Sequence, residues 1–216
     1  MTHVHPPDGA AAVVHGEILA EELVDALLEA VPARDRETRP DALARAERQR
    51  RRWATQIVVA DELARRACTE RGLEPPAQAA PHVLAVDEAD VAGLGSIVAV
   101  VLAYSPAART LLAQLADEQD LPEAAVRDYY DRNRDRFLTQ DALRRGVDPF
   151  GGSGGAAPAD FLPYADVREG VAHGLRQAAG RRAFFAWLDR ARAGVVYAVG
   201  HEHPGDPSHP DHEHRH

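Results

Sequence analysis

The residues whose types and spacing most directly suggest chemistry lie at the end of the chain, in HEHPGDPSHPDHEHRH, residues 201–216. Six of the eleven histidines fall there: His201, His203, His209, His212, His214 and His216. In an extended backbone, residues two apart project to the same side, so His201 with His203, and His212 with His214 and His216, can each present imidazoles to one ion. Pro204-Gly205-Asp206-Pro207 is turn chemistry able to fold the first group onto the second. Asp206 and Asp211 add oxygen ligands, or acceptors for the imidazole N–H groups. Neutral imidazole selects Zn, Ni, Cu or Co over Ca and Mg, and the segment is predicted to bind a divalent transition metal of that set. Six imidazoles exceed what one tetrahedral site uses, which favours storage or transfer over catalysis. The histidines are interleaved with Pro, Asp, Glu and Arg, unlike a homopolymeric purification tag. A hydrophilic solubilising end and a metal scavenger without function are the competing readings.

Composition limits what else the chain can be. Its 216 residues, 45% apolar, suffice for one compact domain or two small ones with a buried core. No stretch approaches the roughly 20 consecutive apolar residues of a membrane span, and residues 1–9 lack a basic region followed by an apolar run. The expectation is a cytoplasmic protein with no membrane partner. A single cysteine, Cys68, excludes an internal disulfide framework and a thiolate cluster, so any metal is held by imidazole, carboxylate or backbone groups. The formal net charge of −9 argues against nucleic acid as a partner.

The elements that must position these groups are read from periodicity. Apolar residues recur at helical spacing almost throughout, and alternating strand patterns are nearly absent, so the fold is predicted to be mostly α. The first helix is expected over 16–30, with Leu19, Leu23, Ala26, Leu27 and Ala30 on one face. From Asp41 to the stop at Gly72, the row Leu43, Ala46, Trp53, Ile57, Ala60, Ala64 and Ala67 predicts one long helix, with room for a helix from a second subunit in a homodimer. A Pro/Ala linker at 74–81 precedes a helix from near Asp87, carrying Val91, Leu94, Val98, Val101 and Leu102. Ser105-Pro106 is a cap followed by a first-turn proline, and Pro122 opens a further helix with Val126, Tyr129, Tyr130 and Phe137 on one side and a mixed-charge, solvated face on the other. Residues 146–159 are a Gly/Ser/Pro-rich flexible connection. Val167, Val171, Leu175, Phe184, Phe185, Trp187 and Leu188 mark one or two helices ending at Gly194, and 195–199 fits a short strand.

Three segments, VVHGEILAEELVDALL, LPEAAVRDYYDRNRDRF and LPYADVREGVAHGLRQAAGRRAFFAWLDRARAGVVY, together resemble the helical chaperone part of the SurA and parvulin-type foldases, the group that includes the NifM-like maturation factors. The resemblance is scattered over about two thirds of the chain. It implies a short strand, a glycine turn and a helix at the start, a helix bearing Tyr129, Tyr130, Asn133 and Phe137 that leads toward an isomerase domain, and a C-terminal helix and strand that return to complete the chaperone domain. On that basis 1–137 is expected to be a helical chaperone-like region, 138–162 a Gly-rich linker and 163–200 the completing helix and strand, while 201–216, the metal-binding tail read from its histidines, is a departure from the family.

The chain departs from the family where a parvulin domain would be inserted, because 138–162 is far too short and offers no facing His and Cys or Asp residues. Prolyl isomerase activity is therefore expected to be absent, and no Gly-x-Ser-x-Gly elbow surrounds Ser96. What the resemblance then implies is a cradle for an unfolded or extended polypeptide client. The alternative is a metal-dependent enzyme of specialised metabolism, acting on a small-molecule or peptide substrate with the tail as its metal site. His3 and His5 repeat the two-residue spacing and could complete a site with the tail. His15 is read as turn-stabilising, His82 and His173 as surface or core histidines, Trp53 and Trp187 as core, and Cys68 as a bystander.

Overall fold

The computed structural model describes residues 6–31, 40–77, 86, 91, 95–151 and 155–202. It is mostly α, as the periodicity predicts, with one small sheet of three strands where at most one or two short strands are expected. The order is β1 (Ala10–Val14), β2 (Glu17–Ala20), α1 (Glu21–Ala30), α2 (Pro40–Glu70), α3 (Ser96–Tyr104), α4 (Pro106–Asp117), α5 (Glu123–Arg132), α6 (Gln140–Arg145), α7 (Tyr164–Arg192) and β3 (Val195–Tyr197). Short 3-10 turns occupy Arg134–Phe137 and Pro158–Asp160. The chain divides into two compact units, one of Met1–Leu112 with Phe184–His216, the other Ala113–Ala183.

In the first unit the strand order is β2-β1-β3, with β1 antiparallel to both neighbours. Val14 pairs with Glu17, leaving His15 and Gly16 as a two-residue loop with φ of 49° and 85°. Positive φ at both positions is the type I′ geometry whose twist matches a hairpin, and it is the reason glycine follows His15. The expected helix over 16–30 is thus corrected. Residues 17–20 form a strand, because pairing with β1 is available only once the turn has closed, and local periodicity does not register that partner. The helix begins at Glu21, so Val24, Leu27 and Leu28 face inward while Leu23 is exposed. Arg50 of α2 closes the far end of α1, donating to the carbonyls of Leu28 at 2.5 Å and Val31 at 2.6 Å.

Helix α2 runs for 31 residues, roughly 45 Å at the usual rise. Its stripe is buried from Ala54 through Ile57, Ala60, Leu63, Ala64 and Ala67, whereas Leu43 and Ala46 are exposed and Trp53 half-buried. Cys68 is buried, its thiol turned toward the Ala107 carbonyl and its pKa raised by burial, which suits an inert position. At Ser105 the chain bends by 106° between Ile97–Tyr104 and Pro106–Asp117. The Ser105 Oγ accepts from the Ala108 N–H at 3.0 Å, the capping bond its sequence predicts.

In the second unit α5, the 3-10 turn after it and the first part of α7 enclose Val126, Tyr130, Phe137, Val171 and Ala172. The Tyr130 and Phe137 rings lie 4.9 Å apart, and the Tyr130 hydroxyl donates to the Leu162 carbonyl at 2.7 Å. Within 138–162 the described residues are more ordered in pattern than a plain linker. Thr139 caps α6, Gly146 ends it in the left-handed conformation, and Leu138 bridges Phe161. The backbone therefore re-enters α7 beside the point at which it left the 3-10 turn, with Thr139 N–H donating to Asp160 and Leu162 N–H to Phe137.

Candidate functional site

Among the described residues two places stand out, one in each unit. The first is the root of the His-rich segment. After β3, the Ala198 N–H donates to the Ala11 carbonyl and the His201 N–H returns to Ala198 at 3.0 Å, with Gly200 at φ 90°. A positive φ at the third position of a four-residue turn belongs to type II and calls for glycine. The turn carries His201 inward until its side chain is buried.

There His201 Nδ1 lies 2.7 Å from Thr55 Oγ1, and that hydroxyl donates its hydrogen to the Arg51 carbonyl at 2.9 Å. With the hydroxyl hydrogen committed, Nδ1–H is the donor to Thr55, which fixes the tautomer and leaves Nε2 as the basic nitrogen. Nε2 faces Glu21 Oε1 at 3.6 Å, and Arg51 binds that same carboxylate at 2.5 Å and Asp25 at 3.1 Å. Burial lowers the His201 pKa, an effect that Glu21 opposes and Arg51 reinforces. Glu202 accepts from Arg52 at 3.4 Å and from the Gly200 N–H at 2.8 Å.

Of the predicted ligands, the structure therefore places one. His201 is a buried anchor whose two ring nitrogens already face protein partners. The turn at 198–201 brings the chain inward to His201, and the backbone that would align His201 with His203 runs on beyond the described residues. His203, His209, His212, His214, His216, Asp206 and Asp211 lie outside the described residues, as do His3, His5 and His82. Among the described residues no group of three or more His, Cys, Asp and Glu side chains converges as a metal site. His173 is exposed, and Trp187 is half-buried against Phe184, with ring centroids 5.2 Å apart.

The second place is a groove of about 590 Å³ in the second unit. One wall is aromatic: Tyr129 and Phe137 meet edge to face at 6.4 Å, and Arg136 holds the Tyr129 hydroxyl at 2.8 Å. Asn133, which donates to the Tyr129 carbonyl at 2.7 Å, ends α5 so that Phe137 can turn back onto it. The other wall is α7, supplying Val167, Val171 and Leu175, with Gly170, Gly174 and Ala178 between them and Asp166 as a carboxylate opposite in sign to Arg136.

The glycines separate into two kinds. A Cβ at Gly180 would stand 2.5 Å from the Ala116 side chain, so that glycine is required by close packing. At Gly170 and Gly174 a Cβ would meet nothing within 4 Å among the described residues. Each of these costs the helix about 0.5–1 kcal/mol relative to alanine, and no packing contact offsets it. The result is bare backbone along one side of a groove.

Known proteins add nothing to this chain's description. No family model, no curated protein and no solved structure matches it.

Tyr129, Val167, Val171 and Leu175 are legible in the sequence as helix faces, whereas Phe137, expected on the helix of Tyr129, lies in the 3-10 turn that follows once Asn133 ends that helix. Asp166, Gly170, Gly174 and Ala178 are not singled out there, although two glycines four apart inside a helical pattern, in EGVAHG, were a signal. No single helix among the described residues is long and apolar enough to cross a membrane.

Proposed function

We propose that the protein binds extended or partly folded polypeptide, as a SurA-like chaperone or maturation factor without prolyl isomerase activity. The observation that carries this reading is the groove along α7, apolar and aromatic on its walls, open over Gly170 and Gly174, and bearing one cation and one carboxylate. An extended chain presents alternate apolar side chains and an evenly spaced row of carbonyl and N–H groups. Bare helix backbone lets such a chain approach closely, and the aromatic wall receives its side chains without demanding one sequence.

The order of elements supports the same reading. From Ala10 the order is strand, glycine turn, a second strand that the resemblance does not include, and helix, and β3 after α7 pairs with β1, in line with the returning helix and strand of the SurA type. The short path from Leu138 to Phe161 leaves no space for an isomerase domain. The test is suppression of aggregation of a reduced, unfolded client by the full chain and by Gly174→Leu, which fills the groove while favouring the helix. Suppression by the wild type that falls at least tenfold in the variant supports the proposal; equal activity of the two, or none in either, contradicts it.

We further propose that the segment after Glu202 binds one of Zn, Ni, Cu or Co through His203, His209, His212, His214 and His216, with Asp206 and Asp211 in support. His201 is better understood as the anchor from which that segment departs. The informative truncation is therefore after Glu202, since cutting at Gly200 would also remove the buried imidazole. Loss of stoichiometric metal with an unchanged Tm is expected; retention of the full metal complement by the truncated chain would contradict the assignment.

A further inference from the structure

The first unit contains an open pocket that neither proposal uses. It has a volume of about 410 Å³ and is lined by α2, by the end of α7 and by the turn between β1 and β2. Small-molecule sites span about 300–1,000 Å³, so a ligand the size of one substituted ring has room here. Leu63 and Ala67, both buried, supply apolar lining from α2, and the half-buried Trp187 supplies an aromatic one from α7.

The turn adds a side chain that its backbone does not call for. His15 holds a φ of 49° at the first central position of a type I′ turn, where Asn, Asp and Gly are favoured. Its ring makes no hydrogen bond among the described residues, so the imidazole does not hold the turn together. It lines the pocket instead, with Cε1 3.8 Å from where a Cβ on Gly194 would stand, just past the end of α7.

Charge narrows the ligand. Of the two guanidiniums in the lining, Arg66 is already held by Glu62 at 2.8 Å and by Glu17 at 2.7 Å. Arg190, on α7, and Glu70, on α2, have no ion-pair partner among the described residues. Both are exposed and hydrated, so neither demands a ligand, but a ligand that carries both opposite charges gains a little from each. An anion or a cation alone meets one of the two as a like charge. A polypeptide terminus brings only one charge, whereas a free α-amino acid brings both, along with a side chain to lay against Trp187. We propose that this pocket binds a free α-amino acid with an aromatic side chain, its carboxylate accepting from Arg190 and the His15 ring, its ammonium donating to Glu70, and its ring packing on Trp187.

The proposal is tested on the full chain with three probes: phenylalanine, phenethylamine, which lacks the carboxylate, and 3-phenylpropionate, which lacks the ammonium. The indole N–H resonance of Trp187, assigned by its loss in Trp187→Phe, reports binding in wild type, Arg190→Gln and Glu70→Gln. A saturable shift with phenylalanine is expected, at an affinity about two- to fivefold above that of either analogue, the worth of one exposed ion pair. In Arg190→Gln the preference over phenethylamine should fall at least twofold while that over 3-phenylpropionate is kept; in Glu70→Gln the reverse should hold. Absence of a saturable shift, analogues that bind as tightly as the amino acid, or preferences unchanged in both variants overturn the proposal.

Discussion

The two units solve the problem of a core in different ways. In the unit built on the sheet, the walls are mostly aliphatic and small, Ala11, Ala12, Val14, Val24, Leu27, Ile57 and Val101, with Phe184 the largest ring fully buried. Polar groups are buried with them: Arg52, Thr55, Gln56, Asp61 and His201. In the unit of Ala113–Ala183, rings carry the packing, Tyr130 on Phe137 with Tyr129 and Tyr164 beside them, and the hydroxyl of Tyr130 is satisfied by one backbone carbonyl. The first arrangement fixes two distant parts of the chain by directional bonds, since His201 and Thr55 are 146 residues apart. The second leaves an open apolar surface, because rings on α5 meet a helix whose facing side is partly glycine. Under the proposed function, anchoring and recognition fall to different units.

The sharpest way to break this comparison is to remove its largest contributors. Phe184→Ala should cost roughly 3–5 kcal/mol in urea denaturation, the usual range for a fully buried ring. In the other unit, Tyr130→Phe should cost only about 1 kcal/mol, one hydrogen bond to Leu162. A loss above 3 kcal/mol for Tyr130→Phe would mean that this unit too depends on directional bonds.

Next come the anchor and the packed glycine. Thr55→Val strands the His201 Nδ1–H, and about 1–3 kcal/mol of stability should go with it. Gly180→Ala forces a methyl against Ala116 and should cost roughly 1–3 kcal/mol, while Gly170→Ala, with open space around it, should add about 0.5–1 kcal/mol. Thermal unfolding of the pair gives opposite signs if the groove is bare backbone, and like signs if it is not.

The smallest effect is one of pH. Because burial depresses the His201 pKa, the unfolded chain binds a proton that the folded chain resists. Stability is full above the ordinary histidine pKa of about 6.5 and falls as pH drops from there toward the folded value. His201→Gln should flatten that part of the profile, which denaturation midpoints between pH 7.5 and 5.5 would reveal.

Much of the fold was legible because its signals are local. Ser105-Pro106, Pro122 and Gly146 each act through the residues beside them, and each marks an element boundary in the structure. Residues 17–20 depart from the helix their spacing predicts for the opposite reason: Leu19 and Leu23 step by four as in a helix, and only β1, across the His15-Gly16 turn, makes the segment a strand. The same distance effect hid the role of His201. Its two-residue spacing from His203 is a sequence fact, but its burial depends on Thr55 and Glu21, which no local pattern connects to it. The groove is half legible, its aromatic wall through Tyr129 and Phe137, while its bare wall depends on what packs around Gly170 and Gly174, which no local pattern carries.

The proposed role of the second unit is to receive extended polypeptide in its groove. The most direct measurement is the equilibrium binding of a fluorescent, Leu- and Phe-rich unstructured peptide to the full chain, compared across wild type, Gly174→Leu and the first-unit variant Val98→Phe. The account predicts saturable binding that weakens at least tenfold in Gly174→Leu, with helix content unchanged, and stays at the wild-type level in Val98→Phe. Wild-type affinity in Gly174→Leu would contradict it.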